Sequence, residues 1–151
     1  MTTRRRVREV VLQVLYEEDI NPARKTSLSS EFLQARMRKN KPLVIFGEEL
    51  LSGVRKHRIE IDLMLGQNAA NWSVKRMATI DRNVLRLAVF EMLWAGVPGR
   101  VAINEAIELA KRYGNQNSGQ FVNGILDRIL RESKALPENE NISDPKEICQ
   151  P

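Results

Sequence analysis

Apolar residues recur at helical spacing along most of the chain. Between residues 4 and 19, Val7, Val10, Val11, Val14 and Leu15 fall three and four apart and draw one apolar stripe along a helix. Thr2 or Thr3 can cap its start, Asn21-Pro22 ends it, and Arg5, Arg6, Arg8, Gln13 and Glu17 are assigned to the opposite face. Residues 28 to 39 predict a weaker helix with Leu28, Phe32, Ala35 and Met37 inward. Pro42 suits the first turn of a long helix in which Phe46, Leu50, Val54, Ile61 and Leu65 keep the period to near Gly66. A connection follows, with a short helix over 73 to 78. Thr79 is then the expected N-cap of a segment reaching Trp94. Its Val84, Leu85, Leu87, Ala88, Val89, Phe90, Met92 and Leu93 are apolar nearly all round, which places it at the centre of a bundle. After the turn Gly96-Val97-Pro98-Gly99, residues 101 to 113 form a helix with Ala102, Ala106, Leu109, Ala110 and Tyr113 on one face, stopped by Gly114 as a left-handed cap. Asn117 or Ser118 caps a last helix bearing Phe121, Val122, Ile125, Leu126, Ile129 and Leu130, and Asn117 with Gln120 resembles a capping box. No internal repeat and no convincing alternating strand run is present. The expectation is an all-α fold, a compact bundle of about six or seven helices.

Length and charge refine this. At 151 residues the chain suits one core. The expected division is a folded helical domain over residues 1–136 and an acidic, disordered tail over 137–151, where the sequence turns Asn- and Pro-rich and loses its period. The formal charge of +5 is unevenly spread, with +6 in residues 1 to 58, +2 in 59 to 131 and −3 in the last twenty. A basic N-terminal half suggests an anionic partner, and nucleic acid leads over membrane. No apolar run is long enough for a transmembrane helix, and the arginine-rich start lacks the pattern of a secretory signal, so a cytoplasmic location is expected. One cysteine, Cys149, cannot form an internal disulfide.

Candidate chemistry is sparse. The single histidine, His57, sits among Arg55, Lys56 and Arg58 and is expected to be a solvated surface residue. Glu105 and Glu108 could pose as an acid/base pair, but pairing with Lys111 or Arg112 is the simpler expectation. Glycines 114, 119 and 124 lack the lysine and the preceding strand of a phosphate loop. Neither catalysis, a metal nor a cofactor is therefore expected, and weight moves to a binding module. Arg4, Arg5, Arg6 and Arg8 offer bidentate phosphate contacts and stacking. Tyr113 and Phe121 flank Asn115, Gln116, Asn117, Ser118 and Gln120, and amides beside aromatics suit single-stranded RNA. The same residues also suit a core Phe121, a half-buried Tyr113 and an ordinary polar loop, and spacing leaves both open.

The stretch Val101-Ala102-Ile103-Asn104-Glu105-Ala106-Ile107-Glu108-Leu109-Ala110-Lys111, then Tyr113-Gly114, then Phe121-Val122-Asn123-Gly124-Ile125-Leu126-Asp127 closely resembles the C-terminal signature of the NusB family. Arg4-Arg5-Arg6-Val7-Arg8-Glu9 with Gln13, Leu15 and Tyr16 resembles its opening helix, and residues 81 to 91 its central one. The resemblance spans about residues 4 to 131. It implies two packed helical subdomains, no enzymatic activity, and antitermination through boxA RNA bound jointly with ribosomal protein NusE. NusA, NusG and RNA polymerase would join the assembly to suppress Rho-dependent termination, notably on ribosomal RNA operons. Residue by residue, it implies RNA contacts at Arg4, Arg5, Arg6, Arg8, Gln13, Tyr113, Asn117, Gln120, Phe121 and Asn123, and a NusE-facing surface with Tyr16 and Asp81 on an exposed face of the central helix. The neutral Asn115-Gln116-Asn117 departs from the acidic residues the family often carries there. Two alternatives are a stand-alone relative of the NusB-like domain of ribosomal RNA cytosine methyltransferases and a helical adaptor that binds only protein. A homodimer of the free protein stays open.

Overall fold

The computed structural model describes residues 3–23, 26–69 and 73–135. Among them lie six α-helices and no strand: α1 (Arg4–Ile20), α2 (Thr26–Arg36), α3 (Lys41–Asn68), α4 (Thr79–Leu93), α5 (Gly99–Tyr113) and α6 (Ser118–Ala135), with one 3₁₀ turn at Val74–Arg76. The tail assigned to 137–151 lies outside the described residues, as does Thr2.

Helix α4 is the shared element. On one side α1 and α3 pack against it with α2 behind them, and on the other α5 and α6 do, giving the two packed helical subdomains that the family resemblance implies. Its Val84, Leu85, Leu87 and Val89 are essentially inaccessible. The stripe Val7, Val10, Val11, Val14 on α1 and Val122, Ile125, Leu126, Ile129 on α6 join the same core. Burying such side chains contributes roughly 1.5–3 kcal/mol each.

Local chemistry sets the ends. Thr3 Oγ1 accepts from the Arg6 N–H at 3.2 Å, and Asn40 Oδ1 from the Leu43 N–H at 3.3 Å just before Pro42. At α4 the expected cap moves by one residue, because Ala78 holds the extended N-cap position and Thr79 is already helical.

Two further expectations are corrected. In α2 the inward residues are Leu33 and Ser29, whereas Leu28 and Ala35 are exposed and Phe32 is half-buried; Met37, expected inward, is buried just past the helix end. Short helices with few apolar residues do not fix their own phase; the docking against Gly47 of α3, where Leu33 lies within 2.8 Å of a built Cβ, does. Gly114 is not left-handed (φ −94°). A side chain there would meet Ser118 Oγ at 2.4 Å and the Ala110 carbonyl at 2.7 Å, so close approach of α6, not a positive φ, requires glycine.

Candidate nucleic-acid interface

Side chains from the first two turns of α1 reach across to α5. Arg5 makes a two-pronged contact with Glu105, Nε and Nη2 donating at 3.1 and 3.2 Å, and keeps most of its side chain exposed. Arg6 donates to Glu9 at 3.1 Å, and the same carboxylate accepts from Arg112 at 2.6 Å. The Arg112 guanidinium sits 5.6 Å from the centroid of the Tyr113 ring. Glu9 is thus a buried node that fastens the arginine-rich start to the end of α5.

Beside this node Glu9, Leu12, Gln13, Tyr16, Ile80 and Tyr113 line a cleft of about 300 Å3. Three residues assigned separately from sequence, Gln13 and Tyr113 to RNA and Tyr16 to the partner protein, therefore share one depression. Burial, then the neighbouring Glu9 charge, raises the Tyr113 phenol above its ordinary value, so it remains a hydrogen-bond donor at neutral pH.

The connection from α5 to α6 is held by Asn115 and Ser118. Asn115 Oδ1 accepts from the Asn117 N–H at 2.8 Å, and Ser118 Oγ accepts from the Asn115 N–H at 3.0 Å. These two side chains take up the turn's backbone groups, which leaves Asn117, Gln120 and Asn123 exposed with side-chain amides directed to no partner among the described residues. The capping box expected of Asn117 and Gln120 does not form, because the Asn117 N–H goes to Asn115 Oδ1, while Asn117 keeps the N-cap position through its carbonyl, which accepts from the Phe121 N–H at 3.0 Å. Phe121 is half-buried against the core, so its ring is anchored on one side and accessible on the other.

Two assigned residues do not reach the surface. Arg8 is 7% exposed and donates three hydrogen bonds to Glu91 of α4, at 2.9, 3.1 and 2.8 Å. Position 8 lies in the arc shared by 11 and 15, which is buried in the core and not solvated, and the bidentate carboxylate of Glu91 explains how a charge is tolerated there. Asp81 is 6% exposed, with Oδ1 buried and without a hydrogen bond, so the exposed placement on the central helix is corrected as well. Glu105 pairs with Arg5, not with Lys111 or Arg112. His57 is not solvated: its ring stacks on Trp94 at 4.2 Å and 14°.

The residues missed by sequence reading are Glu9, Glu105 and Arg112. The sequence offers Arg112 only as a same-helix partner for Glu105 or Glu108, and nothing local shows that a carboxylate 103 positions away completes it. No cluster of metal-ligating side chains occurs among the described residues, and no described helix is long and apolar enough to cross a membrane.

The described residues define an all-α, six-helix domain whose candidate site offers guanidinium, amide and aromatic groups. Comparison with known proteins gives the particular family. The NusB family model matches residues 5–131. The transcription antitermination protein NusB of Desulfosudis oleivorans is 42% identical over 97% of this chain and the whole of the relative. NusB of T. maritima superposes with a TM-score of 0.78 at 37% identity, covering 87% of this chain and 92% of that one. A crystal structure of antitermination factors NusB and NusE in complex with dsRNA contains a chain that superposes with a TM-score of 0.76 at 29% identity, covering 87% and 99%. The chain belongs to the NusB family.

Proposed function

We propose that this protein is a non-enzymatic transcription antitermination factor of the cytoplasm. It binds boxA-type single-stranded RNA together with ribosomal protein NusE. Within an assembly that includes NusA, NusG and RNA polymerase, it helps the polymerase resist Rho-dependent termination, notably on ribosomal RNA operons. The folded RNA-binding unit is residues 1–136, with 137–151 as an acidic appendage.

The observation that carries this reading is the Glu9–Arg112 joint, which sets Arg5 and Arg6 beside the cleft holding Gln13, Tyr16 and Tyr113. Cations for the phosphates, rings for stacking and free amides at Asn117, Gln120 and Asn123 then lie on neighbouring elements, as single-strand recognition requires. Tyr16 in the same cleft lets one protein partner touch both the chain and the RNA. The names of the relatives and the NusB–NusE–RNA neighbour support the same assignment.

With Arg8 withdrawn into the core, Arg4, Arg5 and Arg6 remain as phosphate ligands. Filter binding to a boxA-containing RNA should then give a slope of log affinity against log salt of about −2, at roughly −0.7 per contact. The double substitution Arg5→Ala, Arg6→Ala should flatten it to about −0.7 and leave helicity unchanged by circular dichroism. Adding NusE should tighten wild-type binding, and Tyr16→Ala should abolish that gain. An unchanged slope in the double variant overturns the arm assignment.

A further inference from the structure

Arg4 and Arg5 leave the first turn of α1 in different directions. Arg5 goes to Glu105 on α5, whereas the Arg4 guanidinium lies 4.4 Å from the centroid of the Phe46 ring on α3. Arg5, Arg6 and Arg8 each have a carboxylate partner; among the described residues Arg4 has none. It stands at the mouth of a second cleft, distinct from the Tyr113 depression. This cleft has a volume of about 770 Å3 and is lined among others by Arg4, Phe46, Gly53, His57, Phe90 and Trp94. Its size falls within the range of roughly 300–1,000 Å3 typical of small-ligand sites.

One wall is a set of near-parallel rings. His57 and Trp94 stack at 4.2 Å and 14°, and Phe90 adjoins them at 6.1 and 6.5 Å with interplanar angles of 23° and 14°. The Phe90 ring occupies the space that a side chain at position 53 would take, since a Cβ on Gly53 would lie 2.1 Å from it. The backbone of α3 therefore cannot carry any other residue there without closing the cleft or displacing the ring. Glu49, exposed and without an ion pair among the described residues, contributes a carboxylate to the lining.

We infer that this cleft seats one unpaired nucleotide of the bound RNA, its base against the Trp94–His57 wall and its phosphate at Arg4. The inference rests on the RNA-binding reading and extends it. A strand that contacts Arg5 on the α5 side need only cross the first turn of α1 to reach Arg4 and this wall. A flat ring wall takes a base face regardless of sequence, a guanidinium without a carboxylate takes the phosphate, and Glu49 accepts from a base amine while repelling further phosphates. That combination fits a nucleotide better than an apolar side chain of a protein partner, which would leave both Arg4 and Glu49 without a role.

The test uses the full chain and a set of short boxA-containing RNAs in which one flanking nucleotide at a time is made abasic. In wild type one flanking position should cost roughly tenfold in affinity when its base is removed. In Trp94→Ala, and in the milder His57→Ala, that RNA and the intact one should bind equally, while the penalties at all other positions stay as in wild type. If Trp94→Ala unfolds by circular dichroism, His57→Ala carries the comparison. Penalties identical in wild type and variants overturn the cleft assignment while leaving RNA binding intact. Loss of NusE association in the variants with unchanged RNA penalties reassigns the cleft to a protein side chain. No RNA binding by wild type sinks the parent reading and this one with it.

Discussion

Arg8 and Arg5 lie three positions apart on α1, and their surroundings give them opposite duties. The Arg8 guanidinium is 9% exposed at the side chain and faces Glu91 at 3%; Arg5 faces Glu105 with 61% of its own side chain in water. Removing one partner of a buried pair strands the other charge in a low-dielectric site and costs about 3–5 kcal/mol. A solvent-exposed pair contributes about 0–1 kcal/mol. Arg8→Ala should therefore lower the urea midpoint strongly. On protein that is still folded it should leave the salt slope of RNA binding untouched. Arg5→Ala should do the reverse, with stability within about 1 kcal/mol of wild type and a slope less steep by about 0.7. Equal stability losses in the two variants would show that burial does not separate these arginines. The sequence groups them as one basic run because it shows spacing and charge, but not which arc of the helix meets α4.

Between elements, the tie that matters is a carboxylate on α1. Asp19 Oδ2 accepts from Arg82 Nε at 2.8 Å, Asn83 Nδ2 at 2.9 Å and Arg86 Nη1 at 3.1 Å, and Arg86 continues to Asp62 of α3 at 2.9 and 3.0 Å. Three helices meet in one polar clasp. Burial pushes the Asp19 carboxyl upward, but the hydrogen bonds from Arg82 and Asn83 and the charges of Arg86 and Arg82 outweigh it and hold the group below the usual carboxylate range. A depressed folded value means that the clasp stabilises the fold fully above the unfolded value of about 3.9 and loses that contribution as pH falls through the lower folded value. Urea midpoints should be level near neutrality and drop below about pH 4. Asp19→Asn should start lower at pH 7 and show a shallower acid drop; an acid drop as steep as wild type would remove Asp19 from the account. Helices α1, α3, α4, α5 and α6 were legible from their apolar period, since each has a long enough stripe to fix its phase. Helix α2 was not, because its phase is decided by Leu33 meeting Gly47. Of the site, the exposed amides and Tyr113 could be picked out by composition and resemblance. The Glu9–Arg112 joint and the His57–Trp94 stack depend on pairs 103 and 37 positions apart, which no local pattern displays.

For the whole molecule, the formal charge of +5 is the sum of a basic folded part and an acidic end. Ending the chain after Ala135 removes four acidic side chains and one basic one, and takes the formal charge to +8. The cations proposed to meet RNA lie on α1, and any negative charge tethered to the same molecule lowers the potential that an approaching phosphate experiences. The shortened chain should thus bind a boxA-containing RNA more tightly at low salt, by a few-fold, and associate faster. Salt distinguishes this from a lost contact. The Debye length falls from about 30 Å at 0.01 M to about 3 Å at 1 M, so a through-space effect of the tail fades as salt rises and the two affinities should converge. A gain that persists at high salt would instead mean that residues 136–151 occupy the RNA surface directly. Equal affinities at every salt concentration would show that the acidic end does not act on RNA binding, and that the +6 of the first 58 residues governs association unopposed.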